Sequence, residues 1–343
     1  MSASPQTLPA AAPPAPAVAP RPAVFTLSAV VPMHDEAANA ATFLPALAAT
    51  LAALAKDWEI VVVDDGSRDA TRALVLEAGE QCRVRYVGLS RNFGKEAALS
   101  AGLATARGDV VICLDGDFQH PLEAVPAMVA RWREGDDMVY GVRDSREGEG
   151  IARRLGARLF YALVRMGSPV PIPEGAGDFR LLDRRVVDAL VRLPERSRFM
   201  KGLYGWVGFR SASIPYRVQP RAGGRSSFSL GRLLALAMTG ITSFSFLPLR
   251  AIGLLGLLVS LGAIGYGGWV VFETLFIGVS VPGYPTIVVS VTFLSGIQLL
   301  SLGVIGEYLG RVYEEVKQRP AFLVAEEIDL GALPARPAAR GGR

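Results

Sequence analysis

Residues 115–121 read Asp-Gly-Asp-Phe-Gln-His-Pro and follow directly on the apolar run 110–114. A buried strand that ends in two carboxylates one residue apart brings together like charges, and a cation relieves the repulsion. Asp115 and Asp117, with Gln119 as a neutral oxygen donor, are half of a site for a hard divalent ion such as Mg2+ or Mn2+. An ion held by so few carboxylates draws its remaining ligands from substrate phosphates. The alternative for this heptapeptide is an acidic turn capping a helix that starts at Pro121.

The elements that must position these acids can be read from the apolar pattern. Strands are expected at 25–31, 58–63, 84–89 and 110–114, with helices at 38–56, 69–79 and 95–106 between them. Such alternation implies βαβ units, a mainly parallel sheet and helices on both faces. Ligands of these sheets bind beyond the carboxyl ends of the strands. Here those ends carry residues 32–36, 64–67 and 115–119, so three acidic strand ends meet on one edge. Beyond Gly141 the pattern loosens. Residues 175–180 read as a Gly-rich turn containing Asp178, and arginines cluster near 143–158, 196–201 and 217–225, as solvated surface or as phosphate contacts.

With 343 residues the chain is long enough for more than one domain. Half of its residues are hydrophobic and mean hydropathy is +0.32, an excess concentrated near the C-terminus. Net charge is +4 with a pI near 9.2, suited to an anionic substrate or lipid surface but too mild and dispersed for nucleic acid. Cys82 and Cys113 form no ligand pattern or disulfide framework, which fits a reducing compartment.

The expected organisation is an Ala/Pro-rich disordered tail (1–24), an α/β domain (25–228), an interfacial amphipathic helix (229–247), two transmembrane helices (248–278 and 286–312) and a cytoplasmic tail (313–343). Both apolar stretches reach the ~20 residues that cross a bilayer. Arg250 precedes the first, and Arg311, Lys317 and Arg319 follow the second, whereas the link between them is uncharged. The positive-inside rule therefore places both ends and the N-terminal domain in the cytoplasm.

Four segments occur in fixed order: Val30-Val31-Pro32-Met33-His34-Asp35-Glu36, Val63-Asp64-Asp65-Gly66-Ser67, Asn92-Phe93-Gly94-Lys95-Glu96 and Asp115-Gly116-Asp117-Phe118-Gln119. With Gly177-Asp178-Phe179-Arg180-Leu181, Arg198-Phe199-Met200-Lys201-Gly202, the 243–250 segment and the 306–311 segment, the chain resembles family 2 glycosyltransferases of the GT-A fold. Within them it is similar to the polyprenyl-phosphate glycosyltransferases, the dolichol-phosphate mannose synthases and the bacterial GtrB-type enzymes. The resemblance covers about residues 25–320.

It implies a single-sugar, inverting transfer from a nucleotide-diphospho-sugar to a polyprenyl phosphate at the inner membrane. Pro32, His34 and Glu36 match the segment lining the nucleotide, and Asp64 with Asp65 the acids that meet base and ribose. Asp115, Gly116, Asp117 and Gln119 match the metal and diphosphate segment, and Arg143 and Arg221 match arginines on phosphate. Asp178 matches a proposed catalytic acid, so Asp117, Arg143 and Asp178 are the catalytic candidates. The GtrB-type branch points to UDP-glucose; mannose, N-acetylglucosamine, amino-arabinose and a non-catalytic nucleotide-sugar scaffold are the alternatives, and homo-oligomerisation is left open.

Departures are local. His34-Asp35 replaces a usual Tyr-Asn, and Val218 and Ser227 stand where an arginine and a lysine are usual, with Arg217 and Arg225 near enough to compensate. Gly88 to Lys95 is not a P-loop, because five residues intervene and Glu96 replaces Ser or Thr. His120 reads as structural. Arg131-Trp132 lacks the glutamine of processive enzymes, having Met128 there, which agrees with single-sugar transfer.

Overall fold

The computed structural model describes residues 21–143, 176–196, 198–217 and 283–335, with scattered residues between 252 and 276. The expected helix at 229–247, Arg221, Arg225 and the arginines of 146–158 lie outside the described residues, as does most of the N-terminal tail.

The chain runs β1 (Thr26–Met33), α1 (Ala37–Leu54), β2 (Asp57–Asp64), α2 (Thr71–Cys82), β3 (Val84–Leu89), α3 (Lys95–Thr105), β4 (Val110–Cys113), α4 (Val125–Arg133), β5 (Met138–Arg143), β6 (Ala176–Asp183), α5 (Arg184–Arg192), α6 (Met200–Trp206), β7 (Ser211–Tyr216), α7 (Tyr284–Lys317) and β8 (Val324–Leu330). Among the described residues, eight strands form one sheet in the order β7-β5-β6-β4-β1-β2-β3-β8. The centre, β4-β1-β2-β3, is parallel, while β6 pairs antiparallel with both β4 and β5, and β8 antiparallel with β3. The result is a GT-A-like α/β sheet with mixed edges.

Side-chain alternation sorts the core into two layers. Leu27, Ala29, Val31, Ile60, Val62 and Ile112 face α1 and α4 with Phe43, Leu47 and Trp132. Val30, Val61, Val63, Val87, Val111 and Cys113 face α3, α5 and α6 with Ala98, Val187 and Leu203. Central strands covered on both sides are apolar almost throughout, which is why they read as continuous runs. Cys82 and Cys113 are both buried and unpaired by disulfide.

Two expectations change. Residues 175–180 are not a turn: from Ala176 onward they belong to β6, which hydrogen-bonds to strands on both sides. Glycines at 175 and 177 signal a turn, but burial of Phe179 and Leu181 between β4 and β5 outweighs the local preference. Residues 313–343 are not simply a tail either, since α7 continues to Lys317 and β8 then completes the sheet beside β3. The alternation in Val-Ala-Glu-Glu-Ile-Asp-Leu supplies the strand, and the carboxylates find arginines on the neighbouring elements.

Among the described residues, two helices are long and apolar enough to cross a membrane, Ala37–Leu54 and Phe293–Lys317. The first is α1, whose Phe43, Leu44, Leu47 and Leu51 are buried on the sheet, so it is a core helix. The second exposes its apolar side chains, Phe293, Leu299, Leu302 and Leu309 among them. The earlier expected span, 248–278, is helical wherever it is described, and Leu254, Leu258, Trp269 and Phe276 are exposed there.

Candidate active site

The carboxyl edge of the sheet is built by stitching its loops together. After β1, Asp35 takes a left-handed backbone (φ 53°). Its N–H donates to Ser67 Oγ at 3.0 Å, and its Oδ1 accepts from the Arg68 N–H at 2.8 Å. Glu36 N–H donates to Thr71 Oγ1 at 2.9 Å, and its own Oε2 accepts from the Asn39 amide at 2.7 Å. The Pro32–Glu36 loop is thus pinned to the loop after β2, leaving His34 exposed.

Asp64 and Asp65 are both buried. Asp64 Oδ1 accepts from Ser67 N–H at 2.8 Å and Oδ2 from the Tyr86 hydroxyl at 2.8 Å. Asp65 accepts from Phe93 N–H at 2.7 Å and Gly94 N–H at 2.8 Å. Burial raises the Asp65 carboxyl against the pull of those two N–H groups. Asp65, one of the two acids read from the sequence as meeting the nucleotide, therefore also braces the loop at Phe93 and Gly94.

Gly66 makes that bracing possible. It sits at φ +70°, and a Cβ there would lie 2.6 Å from the Arg91 carbonyl carbon and 2.7 Å from Asn92 N. Gly66→Ala combines left-handed strain with a backbone collision, and a loss of about 2 kcal/mol or more is expected. The thermal unfolding midpoint of the purified protein checks it, and an unchanged midpoint contradicts it.

At the end of β4 the loop 115–121 is held from within. Asp115 N–H donates to His120 Nδ1 at 3.0 Å, so His120 is the neutral tautomer with its proton on Nε2. Burial lowers its pKa, and its ring stacks on Phe179 with centroids 4.8 Å apart. His120 is structural, as the sequence suggested. Phe118 is left-handed at φ 60°, and Asp117 Oδ1 accepts from Gln119 N–H at 3.1 Å. Gly116 lies against Met33, whose Cε would be 2.9 Å from a Cβ.

The Asp115 carboxylate turns outward instead. Lys95, the first residue of α3, places its ammonium 2.6 Å from Asp115 Oδ1 and 3.1 Å from Asp178 Oδ2. Strand β6 thereby brings Asp178 next to the end of β4. Burial works to raise the Asp178 carboxyl, but Lys95, then Lys201 and Arg180, hold it below the ordinary range. Behind it, the buried Arg180 guanidinium lies 4.3 Å from the centroid of the Tyr204 ring. Arg143 is exposed at the end of β5, in register with Tyr216.

Among the described residues no three His, Cys, Asp or Glu side chains form a complete metal cage. The donors present are hard oxygens, and Asp115 already holds a cationic group at 2.6 Å. Such a set fits an ion that completes its shell on phosphate oxygens. In the sequence Lys95 and Glu96 belong to one of the ordered segments of the family resemblance and to a failed P-loop, without a role of their own; no spacing rule connects them to acids on β4 and β6.

Residues 28–191 match the Glycosyl transferase family 2 model. An uncharacterized glycosyltransferase from Synechocystis is 45% identical over 309 residues, covering 90% of this chain and 97% of the relative. An SfII prophage-derived bactoprenol glucosyl transferase from Shigella flexneri is 42% identical over 299 residues, covering 87% and 97%. Among solved structures, glucosyl-3-phosphoglycerate synthase from Mycobacterium tuberculosis is similar with 22% identity and a TM-score of 0.42, over 64% of this chain and 78% of that one.

Proposed function

The chain belongs to glycosyl transferase family 2, and from that premise we propose that this glycosyltransferase moves one glucose from UDP-glucose to a polyprenyl phosphate at the cytoplasmic face of the inner membrane, with inversion. The observation that carries the reading is the meeting of Asp115 and Asp178 at one lysine, on the sheet edge where the acidic loops of β1, β2 and β4 converge. The near-full-length similarity to a bactoprenol glucosyl transferase supports the lipid acceptor and the glucose donor. The exposed apolar surface of α7 supports a membrane span; the basic residues flanking the apolar stretches favour both termini and the sheet domain in the cytoplasm.

Asp115 and Asp117, with Gln119, would hold Mg2+ or Mn2+. When bound, the ion supplies Lewis-acid neutralisation of the leaving diphosphate. The residues of the chain do the rest. Pro32, His34 and Glu36 line the nucleotide, Asp64 and Asp65 meet base and ribose, and Arg143 and Arg221 take phosphate oxygens with fixed, always-charged donors. A phosphate monoester has its second pKa near 6, so the acceptor is already largely dianionic at neutral pH and needs little deprotonation. Asp178, kept ionised by Lys95 and Lys201, is a weak base. Its role is to orient the acceptor or a sugar hydroxyl.

The test is transfer of radiolabel from a panel of UDP-, GDP- and dTDP-sugars into organic-extractable lipid, using detergent-purified protein and undecaprenyl phosphate. Label from UDP-glucose, lost with EDTA and restored by Mg2+ or Mn2+, is the expected result. Preference for another donor, or full activity in EDTA, would refute the donor or the metal respectively.

A further inference from the structure

The Asn92-Phe93-Gly94-Lys95-Glu96 segment delivers Lys95 to Asp115 and Asp178, and it is fixed from both sides. Asp65 receives the N–H groups of Phe93 and Gly94, and Gly66 packs on the backbone of Arg91 and Asn92. On the other flank Glu96 Oε2 accepts from Met200 N–H at 2.9 Å, tying the start of α3 to the start of α6. These fixtures leave little freedom in where Lys95 begins. Its ammonium reaches Asp115 Oδ1 at 2.6 Å, Asp115 Oδ2 at 2.8 Å and Asp178 Oδ2 at 3.1 Å.

One ammonium therefore contacts both oxygens of the metal-side acid and an oxygen of the acceptor-side acid. The Lys95 side chain is 44% exposed, so it can swing away without opening the core. An ammonium in contact with both Asp115 oxygens neutralises the carboxylate and takes up part of its lone-pair capacity, so it opposes a divalent ion that would use the same oxygens. We propose that Lys95 competes with the divalent cation for Asp115, acting as a built-in counter-cation that opposes the ion at this carboxylate. Asp178 offers the displaced ammonium a second carboxylate 3.1 Å away, so the exchange keeps Lys95 at the site. Lys95 is thus a positioning residue that couples occupancy of Asp115 to the surroundings of Asp178. The inference rests on the reading of Asp115 as a metal ligand.

Mn2+ binding to the detergent-purified full chain, followed by electron paramagnetic resonance with and without UDP, decides the matter. Lys95→Met is expected to bind Mn2+ about tenfold more tightly than the parent, the loss of one competing charge-assisted contact. Lys95→Arg, which keeps the charge, should stay near the parent value. A lysine with a merely structural role would give the opposite sign, because its removal loosens the site. Lys95→Gln provides the same reading should Lys95→Met fail to fold. Unchanged or weaker Mn2+ binding in both neutral variants, with binding still abolished by Asp115→Asn, would overturn the competition and leave the metal reading standing. Mn2+ binding indifferent to Asp115→Asn would overturn both.

Discussion

Asp115→Asn is expected to lower sugar transfer by roughly 10²–10³-fold, the usual effect of losing one preorganised electrostatic contact at a developing charge. The substitution is nearly isosteric and leaves the Asp115 backbone N–H free to donate to His120 Nδ1 as before. The loop from Asp115 to His120 keeps its own bracing, including the Gln119 N–H to Asp117 Oδ1 contact. What disappears is charge on the one carboxylate of the loop that Lys95 holds outward. Partly exposed ion pairs of this kind contribute about 0–1 kcal/mol to folding, while the catalytic loss corresponds to about 3–4 kcal/mol. The two effects differ enough in size to be told apart. Turnover of labelled donor into extractable lipid measures the first, and the thermal midpoint of the same preparation measures the second. Activity within about threefold of the parent, at an unchanged midpoint, would remove Asp115 from the chemistry.

Much of this site was legible because chemistry and period coincide in the first half of the chain. Strands β1, β2 and β4 are largely apolar runs that end in acids, and a parallel centre puts those ends on one edge. What could not be read is what the acids touch. Asp64 accepts from Tyr86, 22 positions away, and Asp65 from Phe93 and Gly94, 28 and 29 positions away. Lys95 meets Asp178 only because β6 threads between β4 and β5, a pairing that no local signal announces. Glycines at 175 and 177 argued for a turn there, and sheet pairing overruled them. The strand β8 was hidden for a different reason. Its alternating acids read as a solvated tail after an apolar span, and their partners Arg72 and Arg85 lie more than 240 positions earlier.

That returning strand carries the second large effect. A polar row crosses four strands on the α3 side of the sheet: Ser28 on β1, Glu59 on β2, Arg85 on β3, and Asp329 with Glu327 on β8. Glu59 and Arg85 are essentially fully buried. Glu59 Oε1 accepts from Ser28 Oγ at 2.6 Å and from Arg107 N–H at 2.7 Å, and Arg85 reaches Asp329 at 3.0 Å and the Leu333 carbonyl at 2.8 Å. Removing one partner of a buried pair leaves the other charge desolvated, which typically costs about 3–5 kcal/mol. Arg85→Met is therefore expected to lower the thermal midpoint by roughly 6–20 °C and to expose the 318–323 connection to protease. Arg72→Ala, at the exposed bidentate contact with Glu326, should change little. The double variant Arg85→Met/Glu59→Gln should recover part of the loss, since the stranded charge is gone while amide contacts remain. A small effect of Arg85→Met would mean that β8 is held by its backbone ladder alone. A large one would mean that buried arginine chemistry fastens the end of α7 to β3, whose own carboxyl end leads directly into the loop that delivers Lys95 to the site.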